Sequence, residues 1–278
     1  MIKKLTCSMR TFPLILSSWL PASYASYLQW LRHLLERIGQ DRALALWQQV
    51  CQDYDDELVL QILSKRWSEV DQPEVSKFEE LIDEMCSRFF PVPLDGVTME
   101  GARKLVELMP PIHQIRQIFP TLQVWEELTA YEALHLRFDG EALLTEVMMR
   151  TLGKQGELIA YDILKEERIK KAEGKTGSVA EFMSEFTSEP EEASLFTAGL
   201  ETQIISVSEK EVVLHVRECE WARYFRENHP QVGYLMACST DEAAYRAFNT
   251  NLRLQRTSTL MEGGAVCDFR IFEASDVK

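Results

Sequence analysis

The chain has 278 residues, of which 46% are apolar and 10% aromatic, so it can bury a substantial core and is not disordered throughout. It carries 30 Lys and Arg against 44 Asp and Glu, a formal net charge of −14, which argues against nucleic-acid binding because that requires clustered basic residues. No apolar segment approaches the roughly 20 residues of a membrane span. We therefore expect neither nucleic acid nor a membrane as a partner.

The N-terminus combines basic residues with a short apolar run. Lys3, Lys4 and Arg10 precede the apolar stretch 12–20, and this order is also found in secretory signal peptides. The run is short and is interrupted by Pro13. The six cysteines form no CxxC pair, and a chain of this size folds without disulfides. We expect reduced thiols and a cytoplasmic protein, with a cleaved signal as the alternative.

Apolar residues recur at helical spacing over the first two thirds of the chain. The pattern predicts a helix from Tyr24 to Ile38, a second one with its cap at Asp41, and a third from 75 to 89. It also predicts a helix through residues 125–134, followed by another that Asp139 caps. We therefore expect residues 1–172 to form a mainly helical region.

The best candidate for a linker is the segment from Ala172 to Gly177. Its Gly-Lys-Thr sequence is not a phosphate-binding loop, because the required glycine five residues upstream is replaced by Ile169 and no strand precedes it. Ser178 and Glu181 form a capping-box pattern that predicts a helix start. This places a second domain at residues 178–278.

The last eighty residues predict an α+β domain. Two β-rich runs, 200–207 and 212–216, are separated by a turn and predict a hairpin. Three short helices are expected at 220–228, 232–238 and 241–248, before strands at 252–260 and 266–272. This order gives an antiparallel sheet packed by helices, and hence a fold class of α+β for a helical N-terminal region followed by this domain.

Three cysteines and a histidine lie between residues 219 and 267 of this domain: Cys219, Cys238, Cys267 and His229. Cys219 lies at a strand-to-helix junction, where helix N–H groups can lower the pKa of a thiol. The alternative for each of these cysteines is a structural role, because a cysteine on a helix or strand is usually buried in the core. Three thiols and an imidazole would also suit zinc, but their separations match no common zinc-binding pattern. We therefore predict no metal and no cofactor.

Several short blocks of the C-terminal domain resemble the L-2-amino-thiazoline-4-carboxylic acid hydrolase family. They occur in order over about fifty residues, at 219–225, 233–241, 248–249, 256–263 and 267–270. The resemblance implies a hydrolase that opens a small cyclic amidine with a C–N bond, such as 2-amino-thiazoline-4-carboxylate, to N-carbamoyl-cysteine. The small-molecule substrate is the expected partner, and the chain could also form a homo-oligomer.

The recurrent cysteine and aspartate positions of that family fall on Cys219, Cys238, Asp241 and Cys267, which are our candidate catalytic residues. From the chemistry we assign Cys219 or Cys238 as nucleophile, and Asp241 as a base or as the group that orients the amidine nitrogens. The alternative is that a residue activates water. For substrate binding the candidates are His229, Asn249 and Arg256, the last two for a substrate carboxylate.

A more distant resemblance suggests a different function. The Gly-Gly turn before Cys267 also resembles 4-vinyl-reductase-type domains, which are small-molecule-binding modules in which cysteines and a carboxylate can hold zinc. Cys267 matches the last ligand of such a site, but Arg256 and Thr259 occupy positions where further ligands would be expected. The second hypothesis is therefore a sensor-like binding domain without catalysis.

Overall fold

The computed structural model describes residues 4–7, 12–54, 61, 67–69, 75–91, 94, 96–110, 112–114, 123–172, 177–179, 181 and 199–274. The chain divides into two compact units, one of Thr11–Ile159 and one of Met1–Arg10 together with Ala160–Lys278. Within the described part, no helix is both long and apolar enough to cross a membrane. The predicted linker lies partly outside the described residues, and the domain boundary placed there remains a prediction.

Helices form most of the unit Thr11–Ile159, as the helical spacing predicts. Its helices are α1 (Leu16–Ile38), α2 (Gln40–Asp53), α3 (Val75–Phe89), α4 (Met99–Glu107) and α5 (Ala130–Leu152). Large aromatic side chains of α1 and α2 are fully buried, and the Tyr27 and Trp47 rings meet edge to face at 6.2 Å. Gly39, between α1 and α2, has a φ of 77° that favours glycine. Asp41 lies within α2 and is not its cap.

This unit also contains a small sheet that the sequence analysis did not predict. Strands β2 (Phe12–Ile15), β3 (Trp67–Glu69) and β4 (Gln123–Leu128) pair antiparallel in the order β2-β4-β3. The prediction of a helix through 125–134 is wrong for its first half, because the helix begins only after Thr129. There the Thr129 hydroxyl accepts from the Glu132 N–H, and the Glu132 carboxylate accepts from the Thr129 N–H.

The predicted helix cap at Asp139 is also wrong. Helix α5 runs through this position without interruption, and Asp139 is buried with its carboxylate 3.5 Å from the His135 ring. The helix ends before Gly153, whose φ of 58° is favourable for glycine. Helix α6 (Lys154–Ala172) follows directly and extends across the division between the two units.

The second unit is built on a five-stranded antiparallel sheet in the order β1-β5-β6-β8-β7. Its strands are β1 (Lys4–Cys7), β5 (Leu200–Val207), β6 (Glu211–Cys219), β7 (Leu252–Gln255) and β8 (Cys267–Glu273). Between β6 and β7 the chain forms α7 (Glu220–Asn228), α8 (Gly233–Ala237) and α9 (Asp241–Phe248). The predicted hairpin, three helices and two final strands are confirmed, although β7 ends five residues earlier than expected.

Alternate residues of the central strand β6 give this unit its core. Val212, Leu214 and Val216 are buried on one face of the sheet together with Ile271 of β8 and Phe248 of α9. Val179 joins the same cluster. The capping box predicted at Ser178 is present, since its hydroxyl accepts from the Glu181 N–H at 3.2 Å. The helix expected to follow lies outside the described residues.

The outer strand β1 comes from the far N-terminus of the chain. Lys4–Cys7 pairs antiparallel with Leu200–Gln203, and Cys7 lies opposite Leu200. The sequence analysis interpreted this stretch only as the basic part of a signal-like segment. The pairing joins residues almost two hundred positions apart, and no local pattern in the sequence indicates it.

Candidate functional site

A cavity of about 240 Å³ lies in the second unit, which holds the five-stranded sheet. Apolar side chains of the strands and of α7 form most of its wall: Leu200, Leu214, Val216, Trp221, Phe269 and Ile271. All four predicted catalytic residues, Cys219, Cys238, Asp241 and Cys267, line the same cavity. Elements far apart in sequence therefore bring the candidate residues together around one small space.

The most polar feature of the cavity is an ion pair between Asp241 and Arg256. An Arg256 Nη1–H donates to Asp241 Oδ2 at 2.6 Å, and the two side chains are only 7% (Arg256) and 19% (Asp241) exposed. The Arg256 Nη2–H donates to the Cys238 carbonyl at 3.0 Å. The guanidinium also lies 5.0 Å from the centre of the Phe269 ring. Arg256 thus connects Asp241 at the start of α9 to Cys238 at the end of α8.

Burial makes the Asp241 carboxylate a stronger base than an exposed aspartate. Desolvation raises its pKa above the ordinary value, while the positive charges of Arg168 and Arg256 act in the opposite direction. Burial lowers the pKa of the Arg256 guanidinium, but the nearby Asp241 carboxylate raises it, and the net shift is upward. Asp241 therefore combines a desolvated environment with a fixed orientation, as a general base requires.

The thiols are less acidic than the sequence analysis predicts. Cys219 caps α7, and its Sγ accepts from the Ala222 N–H at 3.4 Å. Desolvation nevertheless raises the pKa of Cys219 to about 12, and it raises the pKa values of Cys238 and Cys267 as well. The expectation of a lowered pKa at Cys219 is wrong, because the backbone N–H groups of Ala222 and Trp221, which lower it, do not offset the loss of water around the sulfur.

A tight loop between Arg256 and Cys267 holds the cavity wall in place. Asp268 accepts from the Thr257 hydroxyl at 2.5 Å and from the backbone N–H groups of Thr257 and Ser258 at 2.9 and 2.6 Å. Partial desolvation acts against ionisation of this carboxyl, but these hydrogen bonds lower the pKa of Asp268 below its usual value. Cys267 Sγ accepts from the Leu260 N–H at 3.2 Å. The loop therefore fixes both Arg256 and Cys267.

Two predicted substrate-binding residues lie outside the cavity lining. His229 ends α7 and is buried against the Tyr224 ring at 6.0 Å. Asn249 donates to the Gly177 carbonyl at 2.8 Å and accepts from the Asn251 N–H at 2.9 Å. These bonds give Asn249 a structural role at the end of α9. The third, Arg256, does line the cavity, and two of its five N–H groups donate to Asp241 and to the Cys238 carbonyl.

The cavity also contains polar residues that the sequence analysis missed. Tyr245 follows Asp241 by four positions on α9, so the helical period places both on one face. That spacing was a usable signal. Desolvation raises the pKa of Tyr245, and its phenol is a neutral donor at neutral pH. Arg168 comes from the charged end of α6, and no local pattern distinguishes it from neighbouring surface charges.

The alternative of a zinc site requires a group of ligands, and none is found among the described residues. There, no three His, Cys, Asp or Glu side chains are grouped so that they could hold a metal ion. Of the residues considered for such a site, Cys219, Cys238 and Cys267 line the cavity, whereas His229 does not. The thiols are instead neutral members of a mainly apolar wall.

The fold and site define an α+β protein with a small, mainly apolar pocket around a buried Arg–Asp pair. A comparison with protein-family models places the chain more specifically. The model of the L-2-amino-thiazoline-4-carboxylic acid hydrolase family matches residues 123–271, more than half of the chain, and the chain belongs to this family. The match begins well before the motif blocks and includes every lining residue of the cavity. No curated protein and no solved structure matches the chain significantly.

Proposed function

We propose that this protein is a hydrolase that opens a small cyclic amidine, such as 2-amino-thiazoline-4-carboxylate, with Asp241 as the general base. Membership of the family supports a hydrolase role in general. The observation that carries the specific proposal is the buried Asp241–Arg256 pair, joined at 2.6 Å within a cavity of about 240 Å³. Ligand-binding cavities usually measure about 300–1,000 Å³, so this smaller cavity suits a small ligand.

In the proposed reaction, water is the nucleophile and Asp241 removes its proton. The water oxygen bonds to the amidine carbon, the electron pair of the C=N bond moves to the ring nitrogen, and Asp241 passes the water proton to that nitrogen. The bond from the tetrahedral carbon to sulfur then breaks as the hydroxyl on that carbon becomes a carbonyl and gives its proton to Asp241. Asp241 transfers this second proton to the departing sulfur, so one water is consumed, a free thiol forms and the base is regenerated.

The composition of the product identifies the ring bond that breaks. N-carbamoyl-cysteine retains both nitrogens of the amidine on the former ring carbon and gains a free thiol. Ring opening to this product therefore breaks the C–S bond and not a C–N bond. The C–N bond named in the sequence analysis belongs to the group that water attacks, and the leaving atom is the ring sulfur.

Water attack accords better with the environment of the thiols than covalent catalysis does. Thiolates are the reactive form of cysteine, and desolvation raises the pKa values of Cys219 and Cys238 far above neutral pH. Asp241 lies in the same cavity and its carboxylate is desolvated. We therefore replace the thiol nucleophile expected from the sequence with an aspartate that activates water.

Substitution of the three residues separates the two mechanisms. We expect Asp241→Asn to lower kcat for ring opening by about 100-fold or more, because general-base catalysis contributes a factor of about 10²–10⁴. Cys219→Ser and Cys238→Ser should each keep kcat within a few-fold of the wild type. The assay is release of free thiol from 2-amino-thiazoline-4-carboxylate. Loss of turnover in either serine variant, with Asp241→Asn active, would contradict the water mechanism.

A non-catalytic binding protein is the second candidate, and the neutral thiols in a mainly apolar wall favour it. Such a protein would bind the same ring compound without releasing thiol. Calorimetry and the thiol assay on one preparation separate the two functions. Tight binding without turnover at any pH between 6 and 9 would support the binding protein and reject the hydrolase.

A further inference from the structure

A second concave surface lies between helices α6 and α9, apart from the cavity described above. It is a groove of about 520 Å³, a volume within the range of about 300–1,000 Å³ that is usual for small-molecule sites. Helix α6 contributes Tyr161, Lys165 and Ile169, which follow one another at the helical spacing of four. None of the described residues that line the groove also lines the cavity. The groove is therefore a separate candidate site.

Helix α9 forms the opposite wall of the groove. Glu242 and Arg246 face it, and Thr250, two residues beyond the end of the helix, continues the same spacing of four. Another face of α9 carries Asp241 and Tyr245, which line the cavity. The two faces of this helix thus serve two different spaces.

The charged side chains of the groove are two cations and one anion. The side chains of Lys165 and Arg246 form no ion pair or hydrogen bond among the described residues. This holds although Glu242 precedes Arg246 by four positions, a spacing at which helical ion pairs form. The Lys165 ammonium lies 5.8 Å from the centre of the Tyr161 ring. In a chain with a net charge of −14, the groove therefore has one excess positive charge and two cations with unused N–H donors.

We propose that the groove between α6 and α9 binds a small organic phosphate ester, with Lys165 and Arg246 on its phosphate group. A phosphate monoester carries nearly two negative charges at neutral pH, which matches two cations on opposite walls. Arginine donates two parallel hydrogen bonds to phosphate, and lysine acts on it as a point charge. The Thr250 hydroxyl supplies a further donor, and Ile169 and Ala247 offer apolar surface to the organic part of the ligand. This site does not depend on the proposed reaction.

The test uses two probes of nearly equal shape, phenyl phosphate and phenyl sulfate, which differ by about one charge at neutral pH. In calorimetry in a phosphate-free buffer, we expect the full chain to bind phenyl phosphate about 10-fold more tightly, the ratio for one additional charge-assisted contact. Lys165→Gln and Arg246→Gln should each remove most of this preference. Glu242→Gln should strengthen phenyl phosphate binding a few-fold, because it removes a like charge from the groove.

Lys210→Gln is the matched control. Lys210 lies in the exposed turn between β5 and β6, and its backbone carbonyl accepts from the Glu273 N–H. The variant changes the net charge as Lys165→Gln does, but outside the groove, and it should keep the wild-type affinity for both probes. Because the altered side chains of Lys165, Arg246 and Lys210 form no hydrogen bond among the described residues, each variant should unfold at nearly the wild-type temperature.

Three outcomes would overturn the inference. The first is that phenyl phosphate does not bind the wild-type chain at millimolar concentration. The second is equal affinity for phenyl phosphate and phenyl sulfate. The third is that Lys210→Gln weakens phenyl phosphate as much as Lys165→Gln does, which would reduce the attraction to net charge.

A phosphate monoester is also the headgroup of phosphatidic acid, so the source of the phosphate is tested in a separate arm. Phosphatidylcholine vesicles with and without phosphatidic acid are sedimented with the wild type and with Arg246→Gln. Co-sedimentation that requires both phosphatidic acid and Arg246 would assign the phosphate to a lipid. Binding of phenyl phosphate without co-sedimentation would assign it to a soluble ester, and either result supports the phosphate site.

Discussion

At the scale of single residues, the site depends on the balance between burial and charge around Asp241. Burial raises the pKa of its carboxyl, and the guanidinium of Arg256 at 2.6 Å opposes that rise. Arg256 therefore acts as a positioning residue that also sets the pH at which Asp241 becomes a base. Substrate binding by Arg256, as the sequence predicts, stays a prediction, and in the structure two of its N–H groups donate to Asp241 and the Cys238 carbonyl.

Replacing Arg256 with glutamine should shift the pH profile of the reaction. A general base acts only when deprotonated, so the rate rises with pH through the pKa of Asp241. Removing a positive charge in direct contact raises that pKa, by about 1–3 units for a pair at this distance. We expect the acid limb of kcat/KM to move to higher pH by this amount in Arg256→Gln.

Arg256→Lys is the control for this shift, because it keeps the charge and loses the paired donors. Its acid limb should remain close to that of the wild type even if its maximal rate falls. An Arg256→Gln profile with the wild-type midpoint and a uniformly lower rate would show that Arg256 only supports the structure. Such a profile would remove Asp241 from the role of titrating base.

At the scale of elements, the loop between β7 and β8 connects the ion pair to the sheet. Asp268, the second residue of β8, accepts hydrogen bonds from the backbone of Thr257 and Ser258 at the start of the loop. Gly263 turns the chain with a φ of 89°. Because Arg256 directly precedes this loop, a change at Asp268 would also affect the cavity wall.

Asp268→Asn should destabilise the protein in a pH-dependent manner. The folded-state pKa of Asp268 is lowered, so its contribution to stability is complete above the unfolded value of about 3.9 and is lost as pH falls through the folded value. We expect about 1–2 kcal/mol less free energy of unfolding at pH 7, the range for partly exposed bonds to a charged group. Urea titrations between pH 7 and pH 3.5 should show this difference narrowing below about pH 4.

The acidic residue Glu273, also on β8, offers a comparison. Glu273→Gln removes a charge from the same strand without touching the loop, so it should leave stability at pH 7 nearly unchanged. If the Asp268→Asn difference stayed constant down to pH 3.5, ionisation of Asp268 would not be its source.

At the scale of the whole molecule, the contacts of α6 bear on where the functional domain begins. Its residues from Ala160 onward belong to the second unit, which holds the five-stranded sheet. Ala172 packs against the core of that unit, and Arg168 lines the cavity. The sequence analysis placed the domain start at residue 178, after this helix. We now propose that the functional domain includes α6.

Two fragments test this proposal. We expect residues 160–278 to unfold at a higher temperature and more cooperatively than residues 178–278, because only the longer fragment retains the α6 contacts with the core. Circular dichroism during heating measures both. Equal midpoints and equal cooperativity would favour the boundary at 172–178.

Local sequence patterns determined the elements of the C-terminal domain, and the resemblance to a known family pointed to its candidate residues. The alternation along β6 and the turn after β5 predict the hairpin, and the order of strands and helices predicts an antiparallel sheet. The same stretch contains Cys219, Cys238, Asp241 and Cys267, which the structure places around one cavity. The strands and helices follow from short-range periodicity, which a single sequence displays directly, whereas the four candidate residues are what the resemblance to the hydrolase family implies.

Tertiary structure alone decided the chemistry of those residues and two parts of their surroundings. The pairing of β1 with β5 and the entry of Arg168 join distant segments, and no local pattern encodes such contacts. The sequence suggests a lowered pKa for Cys219, whereas burial raises it. The helix N-terminus, which lowers the pKa, can be recognised in the sequence, but the burial of the thiol cannot. Burial depends on every element that packs around a group, so its effect on a pKa can be judged only once the chain is folded.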